Sequence, residues 1–247
     1  MREIELGGRR MKRSLVAICV AIALILGLSS AVSAAEPPKK PITPPQLKEI
    51  TFIHYAGPDR PGRPQPSPVD NSAYELLGVF LPDTVTYYVN PSGAPVGALA
   101  EIQSAFETWD AVTGTELFNP ALQTTVSGLS LDGQNTISWV GIVPTSIIAM
   151  TRMWYSDDGA IVEFDIVFNA LLKWGIDPDN EGPLRLKNAY DVQNIATHEA
   201  GHVVGLADLY ESQYRELTMY GYGSKGETIK ISLEEGDIAG TRYLYGL

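Results

Sequence analysis

Two histidines and a glutamate near residue 200 have the spacing of a metal site. His198 and His202 are four residues apart, so on an α-helix their side chains lie one above the other and can bind one ion. Zinc binds neutral imidazole nitrogens, and a catalytic zinc site keeps one position for water. Glu199 follows the first histidine and can reach such a water as a general base and acid. The pattern predicts a catalytic zinc site; the alternative is a chance pattern in which both histidines only pack or face solvent.

A zinc site of this kind needs a third protein ligand. Gly205 tolerates positive φ, so the chain can leave the helix there and bring the next segment back to the metal. Asp208 follows three residues later and is the preferred third ligand, with Tyr210 and Glu211 as the alternatives. The third histidine of the chain, His54, stands in a proline-rich region without a partner residue near it in sequence. We therefore expect His54 to be solvated or to pack, and not to bind the metal.

The stretch from His198 to Asp208 reads HEAGHVVGLAD, which resembles HExxHxxGxx(H/D), the extended motif of the metzincin zinc endopeptidases. Within that clan the chain looks most like the matrixins, in a version with aspartate as third ligand, as in snapalysin-like enzymes. The resemblance covers about residues 80–247 and implies that Met219 lies beneath the zinc ligands in a Met-turn. It also implies a zinc-dependent endopeptidase with one catalytic zinc ion, polypeptide substrates and Glu199 as general base.

Other family features are partly present. Tyr220 and Tyr222 follow the methionine and are candidates for shaping a pocket or assisting an oxyanion, with plain packing as the alternative. Asp177, Asp179 and Glu181 lie in an oxygen-rich loop of the kind that binds calcium, although an acidic turn is usually only solvated. The histidines of a structural zinc and the prosegment cysteine that blocks the metal in many matrixins are missing, so we expect one zinc ion and no cysteine-based latency.

The elements that must position these residues are predicted from hydrophobic periodicity. The predicted strands cover residues 84–90, 136–140, 147–155 and 161–168, and the predicted helices cover residues 99–114, 186 or 189 to 206, and 233–243. The sequence therefore predicts an α+β domain of the zincin-like type, with a twisted mixed sheet, packed helices, an active-site helix and a Met-turn. A polypeptide substrate is expected to add a strand along an exposed sheet edge, which we assign to residues 161–168.

The first residues of the chain differ in character from the rest. Residues 1–13 contain five basic residues, residues 15–28 are almost wholly apolar, and small residues follow up to Ala35. These are the marks of a secretory signal peptide, predicted to cover residues 1–34, with Met11 as an alternative start. The protein is then secreted. If the segment stays uncleaved, it anchors the domain to a membrane with the domain facing outside.

Residues 35–78 form a separate proline-rich region, with ten of the 17 prolines between residues 37 and 68. Such a segment favours extended conformations; it is either a prosegment that shields an active site or, as we prefer, a linker to a catalytic domain at residues 79–247. Residues 50–55 alternate and are a candidate strand. The net charge of −11 argues against nucleic acid as a partner. The alternative to a peptidase is an inactive matrixin-like surface protein that binds peptides or metal.

Overall fold

The computed structural model describes residues 46–57, 68–177 and 187–247. All the described residues belong to one compact unit. The predicted signal peptide therefore lies outside the described residues. Within the described ranges, no helix combines the length and the apolar character needed to cross a bilayer.

The described part of the chain contains nine strands and three α-helices. The strands are β1 (Lys48–Ala56), β2 (Tyr87–Val89), β3 (Leu122–Gln123), β4 (Asn135–Val140), β5 (Ile147–Tyr155), β6 (Ile161–Asn169), β7 (Trp174–Gly175), β8 (Tyr190–Asp191) and β9 (Tyr222–Gly223). The helices are α1 (Ala98–Asp110), α2 (Val192–Val204) and α3 (Glu235–Tyr245).

Seven strands form one mixed sheet in the order β3-β2-β4-β6-β5-β1-β9, and β7 pairs with β8 in a small parallel sheet. Strands β3, β2, β4 and β6 run parallel to one another, whereas β5 is antiparallel to β6. Strand β1 is antiparallel to β5 and parallel to β9. This mixed sheet with its few helices confirms the predicted α+β, zincin-like fold class.

The predicted element bounds hold best in β5 and β6, two nine-residue strands that are mostly buried. Strand β2 is shorter than predicted: Val85 lies outside it and pairs instead with Phe118 in an isolated bridge, in which the N–H of Val85 donates to the carbonyl of Leu117. Helix α2 begins only at Val192, because the Asp191 side chain caps it by accepting a hydrogen bond from the N–H of Asn194 at 2.8 Å. Both differences arise from single hydrogen bonds that periodicity does not register.

The expected position of the substrate-binding edge is wrong. Strand β6 lies inside the sheet, with β4 on one side and β5 on the other, so residues 161–168 have no free edge. The next strand, β5, lies between β6 and β1. The residue pattern predicts that a strand is buried, but which strands pair on either side of it is decided by the topology.

Helices α1 and α2 pack together over the core. The indole N–H of Trp109 on α1 donates to the carbonyl of Thr197 on α2 at 2.9 Å. Gly201, in the middle of α2, makes a close approach possible: a Cβ atom there would lie 2.2 Å from Sδ of Met219 and 2.8 Å from Cζ2 of Trp109. The absence of a side chain at this position lets the helix, the methionine and the indole meet.

We predict that Gly201→Ala destabilises the fold. Alanine is normally better than glycine inside a helix by about 1 kcal/mol, but here the added methyl group overlaps buried neighbours, so we expect a net loss of ~1–3 kcal/mol in the free energy of unfolding. Urea denaturation measures this value. Gly141→Ala is the matched control, since a Cβ there meets Leu171 at an ordinary 3.6 Å; an equal or higher stability of Gly201→Ala would contradict the packing argument.

Candidate metal centre

Helix α2 presents His198 and His202 to one point, and two backbone carbonyl groups fix their orientation. Nδ1 of His198 lies 2.7 Å from the carbonyl oxygen of Thr218, and Nδ1 of His202 lies 2.9 Å from that of Leu206. A carbonyl oxygen only accepts, so each Nδ1 must carry its hydrogen. Burial lowers the pKa of both imidazoles, which keeps them neutral. Each Nε2 therefore bears a lone pair.

Those two lone pairs converge on the carboxylate of Asp208. Oδ1 of Asp208 lies 3.2 Å from Nε2 of His198 and 3.6 Å from Nε2 of His202. All three atoms are buried without a hydrogen-bond partner among the described residues. Three electron-pair donors held this close repel one another unless a cation lies between them. The donor set of two imidazoles and one carboxylate therefore fits a zinc ion. Because the three donor atoms lie close enough together to hold one ion, we call these residues the candidate metal-binding group.

The loop that carries Asp208 is fixed from two directions. Helix α2 ends at Gly205, which has φ of 110° as the sequence predicts. On one side the carbonyl of Gly205 accepts from the N–H of Leu77, and the N–H of Ala207 donates to the carbonyl of Glu75. On the other, the N–H of Leu209 donates to the carbonyl of Met219. These backbone hydrogen bonds hold the loop in a position where Asp208 lies next to the histidines of α2.

Tyr210 and Glu211, the alternative third ligands, take other positions. The hydroxyl of Tyr210 donates to Oδ2 of Asp208 at 2.9 Å, which leaves Oδ1 free to face the histidines. Burial and the neighbouring Asp208 charge raise the pKa of Tyr210, so the hydroxyl keeps its proton. Glu211 is exposed to solvent. The geometry thus favours Asp208 as ligand and assigns Tyr210 to its orientation.

Glu199 lies beside the metal-binding group on the same helix. Its Oε2 accepts a hydrogen bond from Oγ1 of Thr151 on β5 at 2.5 Å, whereas Oε1 has no hydrogen-bond partner among the described residues. The side chain is fully buried, and burial raises its pKa. A carboxylate held by one oxygen and next to a metal site is suited to accept a proton.

His54, expected to be solvated or to pack, is buried and packs at the candidate site itself. Strand β1 brings His54 against His198, with ring centroids 3.9 Å apart. Nδ1 of His54 lies 3.3 Å from Oε1 of Glu199, and burial lowers the pKa of His54 to about 3. This contact could not be read from the sequence, because the pairing between β1 and β5 joins residues about 100 positions apart. The alternation of residues 50–55, with His54 on the apolar face, was the signal available.

The methionine and the two tyrosines lie around the site. Met219 is buried, and its sulfur lies against Gly201 of α2. Tyr220 and Tyr222 line a cavity of about 610 Å³ together with Tyr210. This position agrees with a role in shaping a pocket, which stays a prediction.

The predicted calcium loop is described only in part. Asp177 is buried, and its N–H donates to Oδ2 of Asp191 at 3.1 Å. Asp179 and Glu181 lie outside the described residues. Calcium binding therefore stays a prediction.

Sequence reasoning missed one residue that holds the Met-turn. The carboxylate of Asp237 accepts hydrogen bonds from the N–H groups of Thr218 and Met219, at 2.9 and 3.2 Å. It also accepts from the N–H of Glu234 at the start of α3. An acidic residue in the first turn of a helix normally signals a cap alone, so its contact with the Met-turn could not be read from the sequence.

Comparison with known proteins agrees with this geometry. Residues 146–246 match the model of the matrixin family of peptidases. A segment of 73 residues is 34% identical to metalloendoproteinase 2-MMP of Arabidopsis thaliana, covering 30% of this chain and 18% of the plant protein. The chain thus spans less than a fifth of that relative. The two matches support a matrixin-like metzincin, the class that the motif suggests, and the family match covers the part of the chain that holds α2 and Met219.

We predict that Asp208→Ala abolishes tight zinc binding while the fold remains. Without Oδ1, only two imidazoles converge on the ion, and a structural or catalytic zinc site needs at least three protein ligands. Zinc content after dialysis, measured by atomic absorption, is expected to fall from about one ion per chain to near zero. The exposed Asp83→Ala is the control; unchanged zinc in Asp208→Ala would refute the ligand assignment.

We predict a smaller effect for Tyr210→Phe. Removing the hydroxyl frees Oδ2 of Asp208 and loosens the ligand, and loss of such an orienting hydrogen bond typically costs ~10–100-fold in metal affinity. Competition with a chromogenic chelator measures the zinc Kd. Tyr243→Phe, at a side chain 71% exposed, is the matched control and should leave Kd unchanged. Equal affinities for both variants would show that Tyr210 does not orient Asp208.

Proposed function

We propose that this protein is a zinc-dependent endopeptidase that hydrolyses peptide bonds in polypeptide substrates. The observation that carries the proposal is the convergence of three unpaired donors, Nε2 of His198, Nε2 of His202 and Oδ1 of Asp208, beside the carboxylate of Glu199. The family match of residues 146–246 and the name of the plant relative support it. Aspartate as the third ligand, as in snapalysin-like enzymes, is part of the proposal.

The chain's residues divide the chemistry between them. His198, His202 and Asp208 would hold the zinc ion, which when bound polarises a peptide carbonyl and lowers the pKa of water. Glu199 accepts the proton of the attacking water on Oε1 and returns it to the leaving nitrogen. Thr151 keeps the other carboxylate oxygen in place by its hydrogen bond.

An extended substrate would pair with the backbone edge of β5 along which β1 lies in the structure. Thr151 and Ala149 of that strand lie opposite Phe52 and His54 of β1, so a chain in the position of β1 passes directly over the metal-binding group. We propose in addition that the protein acts outside the cell after removal of residues 1–34, because those residues have the composition of a signal peptide.

We predict that Glu199→Gln retains zinc and loses peptidase activity. The amide keeps the shape of the side chain but cannot accept the proton of water, so we expect a fall in kcat of about 100-fold or more. Cleavage of an unstructured protein is measured together with zinc content, in the wild-type background and with His54→Ala, since His54 lies against Glu199. Glu75→Gln, at an exposed position, is the control.

Removal of the zinc ion with a chelator is a second test of the same proposal. Removing the metal should abolish cleavage, and adding zinc should restore it. Cleavage that persists in the metal-free chain, or in Glu199→Gln, would overturn the mechanism. A zinc-loaded chain that binds peptides but never cleaves them would favour the inactive matrixin-like protein.

A further inference from the structure

The groove along β5 is already filled by a segment of the same chain. Residues 48–55 of β1 pair antiparallel with β5 along nearly its whole length, and Tyr55 and Ala56 pair in parallel with β9. The N–H of Ala56 donates to the carbonyl of Ser146 at 2.8 Å, and the N–H of Gly57 donates to that of Gly223 at 2.9 Å. Strand β1 is thus hydrogen-bonded on both sides, as an extended polypeptide lying in a cleft between these strands would be.

The side chains of β1 cover the proposed catalytic group. The ring of Phe52 stacks on the imidazole of His202, with centroids 4.1 Å apart and planes inclined by 15°. His54 lies over His198 and Glu199. A Cβ atom at Gly223 would lie 2.9 Å from Nε2 of His54, so only glycine leaves room for this ring. As a result Glu199 has no exposed surface.

This arrangement conflicts with catalysis in the same state. A general base must reach a water molecule, yet Oε2 of Glu199 is bonded to Thr151 and the ring of His54 lies next to Oε1. The proposed reaction and the position of β1 are compatible only if β1 leaves the groove.

Two features distinguish β1 from the strand with which it pairs. One of its nine residues is buried, against six of nine in β5. His54 buries both ring nitrogens without a hydrogen-bond partner among the described residues. An unpaired buried polar group costs free energy that a permanent strand would avoid with an apolar side chain. Strand β1 therefore binds with a built-in weakness at the point where it covers the site.

We propose, on the basis of the peptidase function above, that β1 is an internal pseudo-substrate. It occupies the substrate groove in the direction given by antiparallel pairing with β5, and Phe52 and His54 block His202 and Glu199. Cleavage of another polypeptide requires displacement of β1. Extended segments with a large apolar or aromatic side chain at the position of Phe52 are the substrates that compete best.

A reversible lock tests the proposal in the full-length chain. Thr51 and Arg152 are opposite each other in the β1–β5 pair, and Nε of Arg152 donates to Oγ1 of Thr51. Directly opposed residues of antiparallel strands are close enough for a disulfide. The double variant Thr51→Cys with Arg152→Cys, which we call the lock, can therefore fix β1 to β5 by a disulfide when it is oxidised. Cys19, the one cysteine of the sequence, is replaced by serine in every chain of the test.

We expect the oxidised lock to cleave an unstructured protein at least about tenfold more slowly than the reduced one, with equal zinc content. The chain with Thr51→Cys alone cannot form the bond and should be indifferent to oxidation. Equal rates for the oxidised and reduced lock would overturn the proposal, because substrate would then reach the metal with β1 in place.

Variants that weaken the binding of β1 in the groove are expected to raise the cleavage rate. Phe52→Ala and His54→Ala should raise the cleavage rate several-fold without loss of zinc, whereas Glu49→Ala, at an exposed position of the same strand, should not. If β1 were only a structural strand, the first two variants would instead lose stability and activity together.

A binding measurement separates this proposal from the proposed function. A fluorescent peptide with the sequence of residues 46–57 is titrated against zinc-loaded chains that carry Glu199→Gln and therefore do not depend on turnover. It should bind the Phe52→Ala chain and fail to bind the oxidised lock. If the peptide binds in this way but the same chains with Glu199 restored cleave no polypeptide, the peptidase function is refuted, whereas the proposal that β1 occupies a peptide-binding groove stands. Cleavage without any effect of the lock would refute the pseudo-substrate and keep the peptidase.

Discussion

The metal centre depends on the two backbone carbonyl groups that orient its histidines. By accepting from Nδ1 of His198 and His202, the carbonyl oxygens of Thr218 and Leu206 leave both Nε2 lone pairs facing Oδ1 of Asp208. The carbonyl group of Thr218 belongs to the predicted Met-turn, and that of Leu206 follows the end of α2. The turn, the helix end and the ligand loop must therefore all be in place before the donors converge. This explains why so much buried hydrogen bonding surrounds a small group of side chains.

The same geometry explains why the groove and its occupant are coupled. Strand β5 supplies both the edge that an extended chain can pair with and Thr151, which holds Glu199. Any chain that pairs with this edge places alternate side chains over the histidines, because side chains alternate across a strand. In the structure these side chains are Phe52 and His54. Substrate recognition and latency would then use one surface, and the difference between them lies in which chain occupies it.

Much of the fold was predictable, and so was the centre of the site. Strands β5 and β6 follow from their apolar and β-branched residues, and the end of α2 follows from Gly205, because glycine with positive φ commonly ends a helix. The role of His54 was not predictable, because it depends on a strand pairing between distant segments. The free edge was misassigned to residues 161–168 for the same reason: hydrophobic pattern specifies which face of a strand is buried, but not its neighbours.

The sequence by itself determined which residues are candidates for the chemistry. Two histidines and a glutamate on one helical turn, followed by a glycine and an aspartate, predict a zinc site with a base. Only the tertiary structure decided how that site is reached. Long-range pairing placed β1 in the groove, brought His54 to Glu199 and set Tyr210 behind Asp208. Local spacing fixes which side chains share a helix face, whereas access to them depends on contacts between segments that only the folded chain brings together.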